Sequence, residues 1–343
     1  MRPLSSLIVL LLLALTAGPG PRVSAATTVP AHHLQRGFQN VDTASRIPLL
    51  ERAWHVLHRG VALHLDRGAP LHLVANDGTA LRENHGAPTL TWIGHATFLV
   101  QIDGINVLTD PIWGGTVGPL SMIGLRRLIL PGVRFEDLPP IDAVVISHDH
   151  YDHLDVATVR RLHRAHHPRF FVPLGLKPWF AGLGITDVVE LDWWQTARLQ
   201  SVTFASVPAQ HASGRSLTDQ NLRLWSSWVI TGRTKRFFFG GDTGYHAGFA
   251  GIAGRFGRFD AAALPIGGYS AFERHHPNHL NPEEAVRAFE DLHAGRLVPM
   301  HWGTFELNRE PAGEPPARLW REAVRRGDQE HVSILSPGQT IPW

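Results

Sequence analysis

The stretch that most constrains this chain is Ile141-Asp142-Ala143-Val144-Val145-Ile146-Ser147-His148-Asp149-His150-Tyr151-Asp152-His153-Leu154-Asp155. Its first half is a run of strand-forming apolar residues without alternation. A strand of that kind is buried on both faces, which is the condition of a sheet covered by helices in an α/β fold. The run then ends abruptly in His148, His150, Asp152 and His153, four metal-ligand side chains within six residues. Imidazole and carboxylate together are what zinc takes when no thiolate is offered. Directly after an apolar strand, this spacing points to a metal loop rather than a polar surface turn. One turn of chain cannot aim all four groups at a single ion. The favoured geometry places His148 and His150 on one metal, with Asp152 and His153 on a second close by.

Cysteine is absent from all 343 residues, so disulfides and thiolate-zinc sites are both excluded and any zinc must be held by His and Asp. The apolar content of 43% suits a globular core. Lys and Arg number 32 against 30 Asp and Glu, a net charge of +2, which does not ask for nucleic acid.

Met1-Arg2-Pro3, the apolar run from Leu7 to Ala17 and Val23-Ser24-Ala25 are expected to form a signal peptide over residues 1–25, cut after Ala25. The mature chain is then periplasmic or secreted. The rival reading is an uncleaved membrane anchor, for which the apolar run falls short of the roughly 20 residues that span a bilayer. No cysteine follows the run, against a lipoprotein anchor. Residues 26–85 read as an extension packed on the main domain, with one amphipathic helix after Pro48. Residues 86–343 contain neither a repeat nor a linker and are expected to be one hydrolase domain.

Within that domain, strands are predicted at Leu90–Ile93, Thr97–Ile102 and Ile105–Leu108, with Asp103-Gly104 as a hairpin turn. Others are predicted at Phe170–Val172, Val202–Val207, Ser227–Thr231, Arg236–Phe239, Ala261–Ile266 and Leu297–Met300. Asp155 caps a helix to about His166, with Val156, Val159 and Leu162 facing inward. Asn281-Pro282-Glu283-Glu284 opens another that Gly295 closes. The insertion from Ile112 to Pro140 has a greasy and basic centre, Leu120 to Leu130. It reads as a lid on its own domain or as a membrane-touching element, Arg126 and Arg127 then meeting lipid phosphates.

Three later strand ends repeat the arrangement of the first: Val202–Val207 leads to His211, Phe237–Phe239 to Asp242 and Leu297–Met300 to His301. Alone, His211 or His301 would more often be a structural histidine. Four strand ends in agreement change that, because side chains distant in sequence converge at the carboxyl ends of α/β strands.

The motifs Thr91-Trp92-Ile93-Gly94-His95-Ala96-Thr97, Leu108-Thr109-Asp110-Pro111, Ser147 to Asp155, Gly240-Gly241-Asp242-Thr243-Gly244 and His301-Trp302-Gly303-Thr304 resemble the metallo-β-lactamase fold superfamily. Further stretches resemble its N-acylphosphatidylethanolamine-hydrolysing phospholipase D group: Glu190 to Trp194, Pro208 to His211, Leu224 to Trp228, Gly241 to Tyr245 and Asn281 to Val286. The resemblance covers about residues 86–320 and implies an α/β fold, a four-layer αββα sandwich.

It also implies two zinc ions per chain. His148, His150 and His211 hold one, Asp152, His153 and His301 the other, with Asp242 bridging, and His279 falls at the catalytic histidine. Two zincs sharing a water lower its pKa towards neutrality, and His279 would stabilise developing charge or protonate the leaving alkoxide. The expected activity is phospholipase D-type hydrolysis of an N-acylphosphatidylethanolamine-like lipid or a small phosphodiester, with peripheral membrane contact. Alternatives are a dizinc hydrolase of a lactone, β-lactam or other small ester or amide, and a non-catalytic periplasmic metal-binding protein. Oligomeric state leaves no mark in the sequence. The run His275-His276-Pro277-Asn278, the 112–140 insertion and the exported N-terminus depart from the group's pattern.

Overall fold

The computed structural model describes residues 29–43, 71–120, 123–269, 276–305, 307, 310–311 and 313–343. The expected signal peptide, the helix expected after Pro48, and Met122 lie outside the described residues. His32–Trp343 forms one compact unit. No helix among the described residues is long and apolar enough to cross a membrane.

The chain passes through a short helix α1 (Thr79–Arg82) into β1 (Thr89–Gly94), β2 (Thr97–Ile102) and β3 (Ile105–Thr109). Asp103 and Gly104, at φ 52° and 78°, make the predicted tight turn. After β4 (Thr116–Leu120) and β5 (Ile123–Arg126) come β6 (Ala143–Val145), α2 (Val156–His166), β7 (Arg169–Pro173), α3 (Lys177–Ala181) and β8 (Val188–Leu191). The second half holds β9 (Thr196–Leu199), β10 (Val202–Val207), β11 (Ser227–Thr231), β12 (Arg236–Phe239), α4 (Gly248–Phe256) and β13 (Ala261–Pro265). It ends with α5 (Pro282–Asp291), β14 (Leu297–Met300), α6 (Glu314–Arg326) and β15 (Thr340–Pro342). One sheet is ordered β15-β1-β2-β3-β6-β7-β8, the other β14-β13-β12-β11-β10-β9.

Alternation of side chains builds the layers. Phe171 of the first sheet stacks on Phe204 of the second, ring centroids 4.0 Å apart, so both point into the space between the sheets. On the far side of the first sheet, Leu108, Val144 and Val172 bury Val159 and Leu162 of α2 and Phe180 of α3. In the second sheet Phe237 faces Trp343 while its neighbour Phe238 faces Phe249 of α4. With α5 and α6 also on that outer face, the order is helix, sheet, sheet, helix. Each such side chain, fully buried, contributes about 1.5–3 kcal/mol.

The caps behave as their chemistry requires. Asp155 accepts from the Ala157 and Thr158 amides at the start of α2, and Asn281 and Glu284 form a reciprocal capping box on α5. That helix stops at Asp291, not at Gly295. His293 takes the left-handed turn at φ 50°, and the Gly295 amide bonds Phe259 instead of closing the helix.

β4 and β5 make a separate hairpin whose base corrects the reading of the paired arginines. Arg127 does not face solvent. Its guanidinium donates to the carbonyls of Gly114 and Ile112 at 3.0 and 2.8 Å and lies over Phe305, and burial lowers its pKa to about 10. Ile129 packs on the main core, while Leu128 and Leu130 are exposed.

Strand direction decides what meets where. β3, β6, β7 and β8 are parallel, as are β12, β13 and β14, and β10 runs with them because β11 is antiparallel to both of its neighbours. The carboxyl end of β6 is stitched to the start of β11, which lies beside the carboxyl end of β12: Ser226 N donates to Ser147 O at 2.9 Å and Trp228 Nε1 to Ile146 O at 2.9 Å.

Candidate metal centre

At that junction the predicted side chains come together. His148 Nε2 lies 2.8 Å from His150 Nδ1, which lies 3.2 Å from His211 Nε2, so three nitrogens converge from two loops. Beside them stands a second group. Asp152 Oδ2 is 3.6 Å from His153 Nε2 and 3.7 Å from His301 Nε2. Asp242 lies between the groups, Oδ1 3.0 Å from His301 Nε2 and Oδ2 3.2, 3.7 and 3.9 Å from the Nε2 atoms of His153, His211 and His148. Asp149, inside the same loop, turns away and accepts from the Gly214 amide and Arg223.

The far side of each ring explains its orientation. The Ser147 hydroxyl donates to Asp110 Oδ2 at 2.5 Å, so it is left to accept from His148 Nδ1 at 2.9 Å. His153 Nδ1 donates to the same carboxylate oxygen at 2.6 Å, His211 Nδ1 to Asn278 O at 2.9 Å and His301 Nδ1 to Gly267 O at 3.3 Å. With Nδ1 carrying the proton, Nε2 of each ring presents a lone pair to the centre.

Electrostatics divides the group. Burial holds His148 well below its ordinary pKa and His211 at about 3, so both are neutral ligands at pH 7. Burial opposes charge on Asp152 and Asp242 too, yet the adjoining His153 and His301 hold both carboxyls well below the usual range. The Asp242 charge in turn pushes His301 up to about 9 against its burial. Two buried carboxylates therefore demand positive charge beside them. His153 Nε2, His301 Nε2 and Asp242 Oδ1 also lack hydrogen-bond partners although buried. A divalent cation meets both needs, and an imidazole–carboxylate donor set suits zinc and its neighbours.

The backbone is bent to the task. His95, Asp110 and His301 sit at φ 53°, 33° and 63°, where a side chain costs about 1–3 kcal/mol. Gly268, at φ 80°, has no such choice. A Cβ there would fall 2.9 Å from His279 Nδ1 and 3.2 Å from His301 Cε1.

Residues 105–302 match the family described as the beta-lactamase superfamily domain. The chain belongs to the metallo-β-lactamase superfamily. It is similar to an uncharacterized protein of Mycobacterium tuberculosis, 40% identical over 93% of this chain and 86% of its own. The N-acyl-phosphatidylethanolamine-hydrolyzing phospholipase D 1 of Caenorhabditis elegans is 39% identical over 81% of each chain. Among solved structures, the metallo hydrolase Igni18 of Ignicoccus hospitalis superposes with a TM-score of 0.57 at 24% identity, covering 74% of this chain and 97% of that one. This member of the superfamily is a metal-dependent hydrolase.

His279 stands at the rim, its Nδ1 3.9 Å from Asp242 Oδ2 and without a hydrogen-bond partner; its side chain is 13% exposed. Burial holds its pKa well below the ordinary histidine value. His276 lies behind it, ring centroids 5.2 Å apart.

Two residues had no role assigned from sequence. His95 contacts Asp152 through Nε2 at 3.2 Å and, with Asp152, His153 and His301, makes a group able to hold an ion. Asp110 accepts from the Ser147 amide, the Ser147 hydroxyl and His153 at once. The signal for Asp110 was present, an apolar strand ending in Thr-Asp-Pro, but its partners depend on β3 pairing with β6. Asp110→Asn turns one acceptor oxygen into a donor facing donors. We expect metal affinity to fall roughly 10–100-fold, read by chelator competition; unchanged affinity would show that this carboxylate does not orient the ligands.

Proposed function

We propose that this chain is a zinc-dependent phosphodiesterase of phospholipase D type, acting outside the cytoplasm on N-acylphosphatidylethanolamine-like lipids. His148, His150 and His211 would hold one zinc; Asp152, His153 and His301 would hold the other, with Asp242 shared. The observation that carries hydrolysis is the meeting of two donor groups across Asp242, with the neutral His279 at the rim. What directs it to phospholipid is the 39% identity to the nematode enzyme over 293 residues.

When bound, a pair of divalent ions supplies a water of lowered pKa and positive charge for an anionic phosphodiester. The protein's own groups do the rest. Asp110 and Ser147 lock the tautomers of His153 and His148, and Gly268 leaves open the space beside His279. His279, neutral and with Nδ1 unbonded at the rim, would donate a hydrogen bond from that atom to charge developing on the substrate.

Side-by-side assays of the purified protein on N-acylphosphatidylethanolamine vesicles, a nitrophenyl phosphodiester, a lactone and a β-lactam test the reading. Turnover confined to the lactone or β-lactam would overturn it.

The hairpin offers a route to lipid, because Leu125 and Val117 pack with Tyr151 of the His loop and with Phe305. Among the described residues at its base, the exposed apolar side chains are Leu128 and Leu130. Leu128→Asp with Leu130→Asp should weaken vesicle binding about tenfold or more, given about 1.5–3 kcal/mol per buried leucine, and spare the soluble phosphodiester. Equal loss on both substrates would make the hairpin a structural lid.

A further inference from the structure

His32 to Asp42 forms a strap beside the loop that carries His211. The strap folds on itself: Gln39 N donates to His32 O at 2.9 Å and Leu34 N to Gly37 O at 3.0 Å. Gly37 is left-handed at φ 81°, and a Cβ on it would meet Asn221 O at 2.2 Å. Phe38 N bonds that same carbonyl at 2.8 Å.

One end is anchored by a buried cluster. His32 and His33 donate from Nε2 to the two oxygens of Asp192 at 2.7 and 2.9 Å, and the Trp193 amide adds a third bond at 2.7 Å. His32 also stacks on Trp193, centroids 4.2 Å apart. The three side chains are close enough to hold an ion, but the carboxylate already has donors on both oxygens. They read as a clasp.

The other end reaches the metal centre. Asn40 Nδ2 donates to His211 O at 2.8 Å, and Asn40 Oδ1 accepts from His211 N at 3.0 Å and from Trp225 Nε1 at 2.9 Å. Asp42 O accepts from Gln210 Nε2 at 2.8 Å. His211 lies four residues past the end of β10, beyond any strand partner. Among the described residues, no other group bonds its main-chain N–H or C=O. His301, by contrast, is held by a main-chain bond from its amide to His95 O at 3.1 Å.

We propose that Asn40 is a positioning residue of the metal centre. Its amide substitutes for the missing strand neighbour of His211, and the strap clasped on Asp192 sets the angle at which His211 Nε2 meets His148 and His150. The inference rests on the two-metal reading given above and deepens it.

The test uses Asn40→Ala and Asn40→Asp in the full chain, each loaded with zinc or cobalt. Metal affinity by chelator competition, the visible spectrum of the cobalt form and the melting temperature are measured together. Asn40→Ala is expected to lose one of the two metals roughly 10–100-fold more readily than the native protein while keeping the other. Asn40→Asp keeps the acceptor but sets a carboxylate oxygen against His211 O, so its loss should at least match that of Asn40→Ala, and both variants should show an altered cobalt spectrum. A lowered melting temperature with native metal affinities and a native spectrum would overturn the proposal, leaving the strap a plain structural anchor. If Asn40→Ala does not fold, Asn40→Asp decides by the same criterion. Native protein that binds two metals yet cleaves no phosphodiester refutes the substrate proposal and not this one.

Discussion

Asp242→Asn lowers turnover by roughly 10³-fold, the scale of loss when one oriented electrostatic group leaves a reacting centre. The expectation follows from where the carboxylate stands. Its carboxylate reaches both donor groups, Oδ1 3.0 Å from His301 and Oδ2 3.2 Å from His153 on one side and 3.7 Å from His211 on the other, and the residue is only 4% exposed. Asparagine keeps the shape and removes the charge, and it turns an N–H₂ towards one of those imidazoles. Stability should suffer less, because the volume of the buried side chain is unchanged. Rate and melting temperature measured on one preparation separate the two effects. Turnover within a few-fold of native would show that Asp242 is not shared between metals.

Metal removal is expected to be as severe. Dialysis against a chelator should abolish hydrolysis, zinc should restore it, and the active protein should contain about two ions per chain. The reason lies in the convergence of His148, His150 and His211 within 3.2 Å contacts, beside the group of Asp152, His153 and His301. Protons compete for the same nitrogens, so metal retention should decline as pH falls. One ion or none in active protein would sink the two-metal arrangement. Iron in place of zinc would change the metal and leave the count standing.

What could be read in the sequence, and what could not, divides along the range of the interactions. The unbroken apolar run into β6 and its histidine-rich end were legible because strand and side chains are contiguous. The ends of β10, β12 and β14 were legible for the same reason. Edge strands such as β9 carry little local signal: Thr196–Leu199 alternates between exposed and half-buried positions and has no apolar stripe. Helix α6 is legible in part, since Leu319 and Ala323 stand four residues apart among Arg318, Arg321, Glu322, Arg325 and Arg326. Asn40 and the His32–His33–Asp192 clasp were not. Their partners lie 159 to 185 residues away, and nothing local in a Gln-Asn-Val-Asp stretch announces them. For Arg127, charge alone does not reveal that two carbonyls and an aromatic face await it.

The left-handed backbone at His95, Asp110 and His301 bears on any attempt to make this enzyme sturdier. Glycine would relax each position, yet it would delete the imidazole or carboxylate held there. The reactive region is therefore where thermal improvement is barred. Gains must come from surfaces remote from it, such as Trp320 and Val324 on α6, where an exposed apolar side chain can be exchanged for a polar one without disturbing a single contact of the centre.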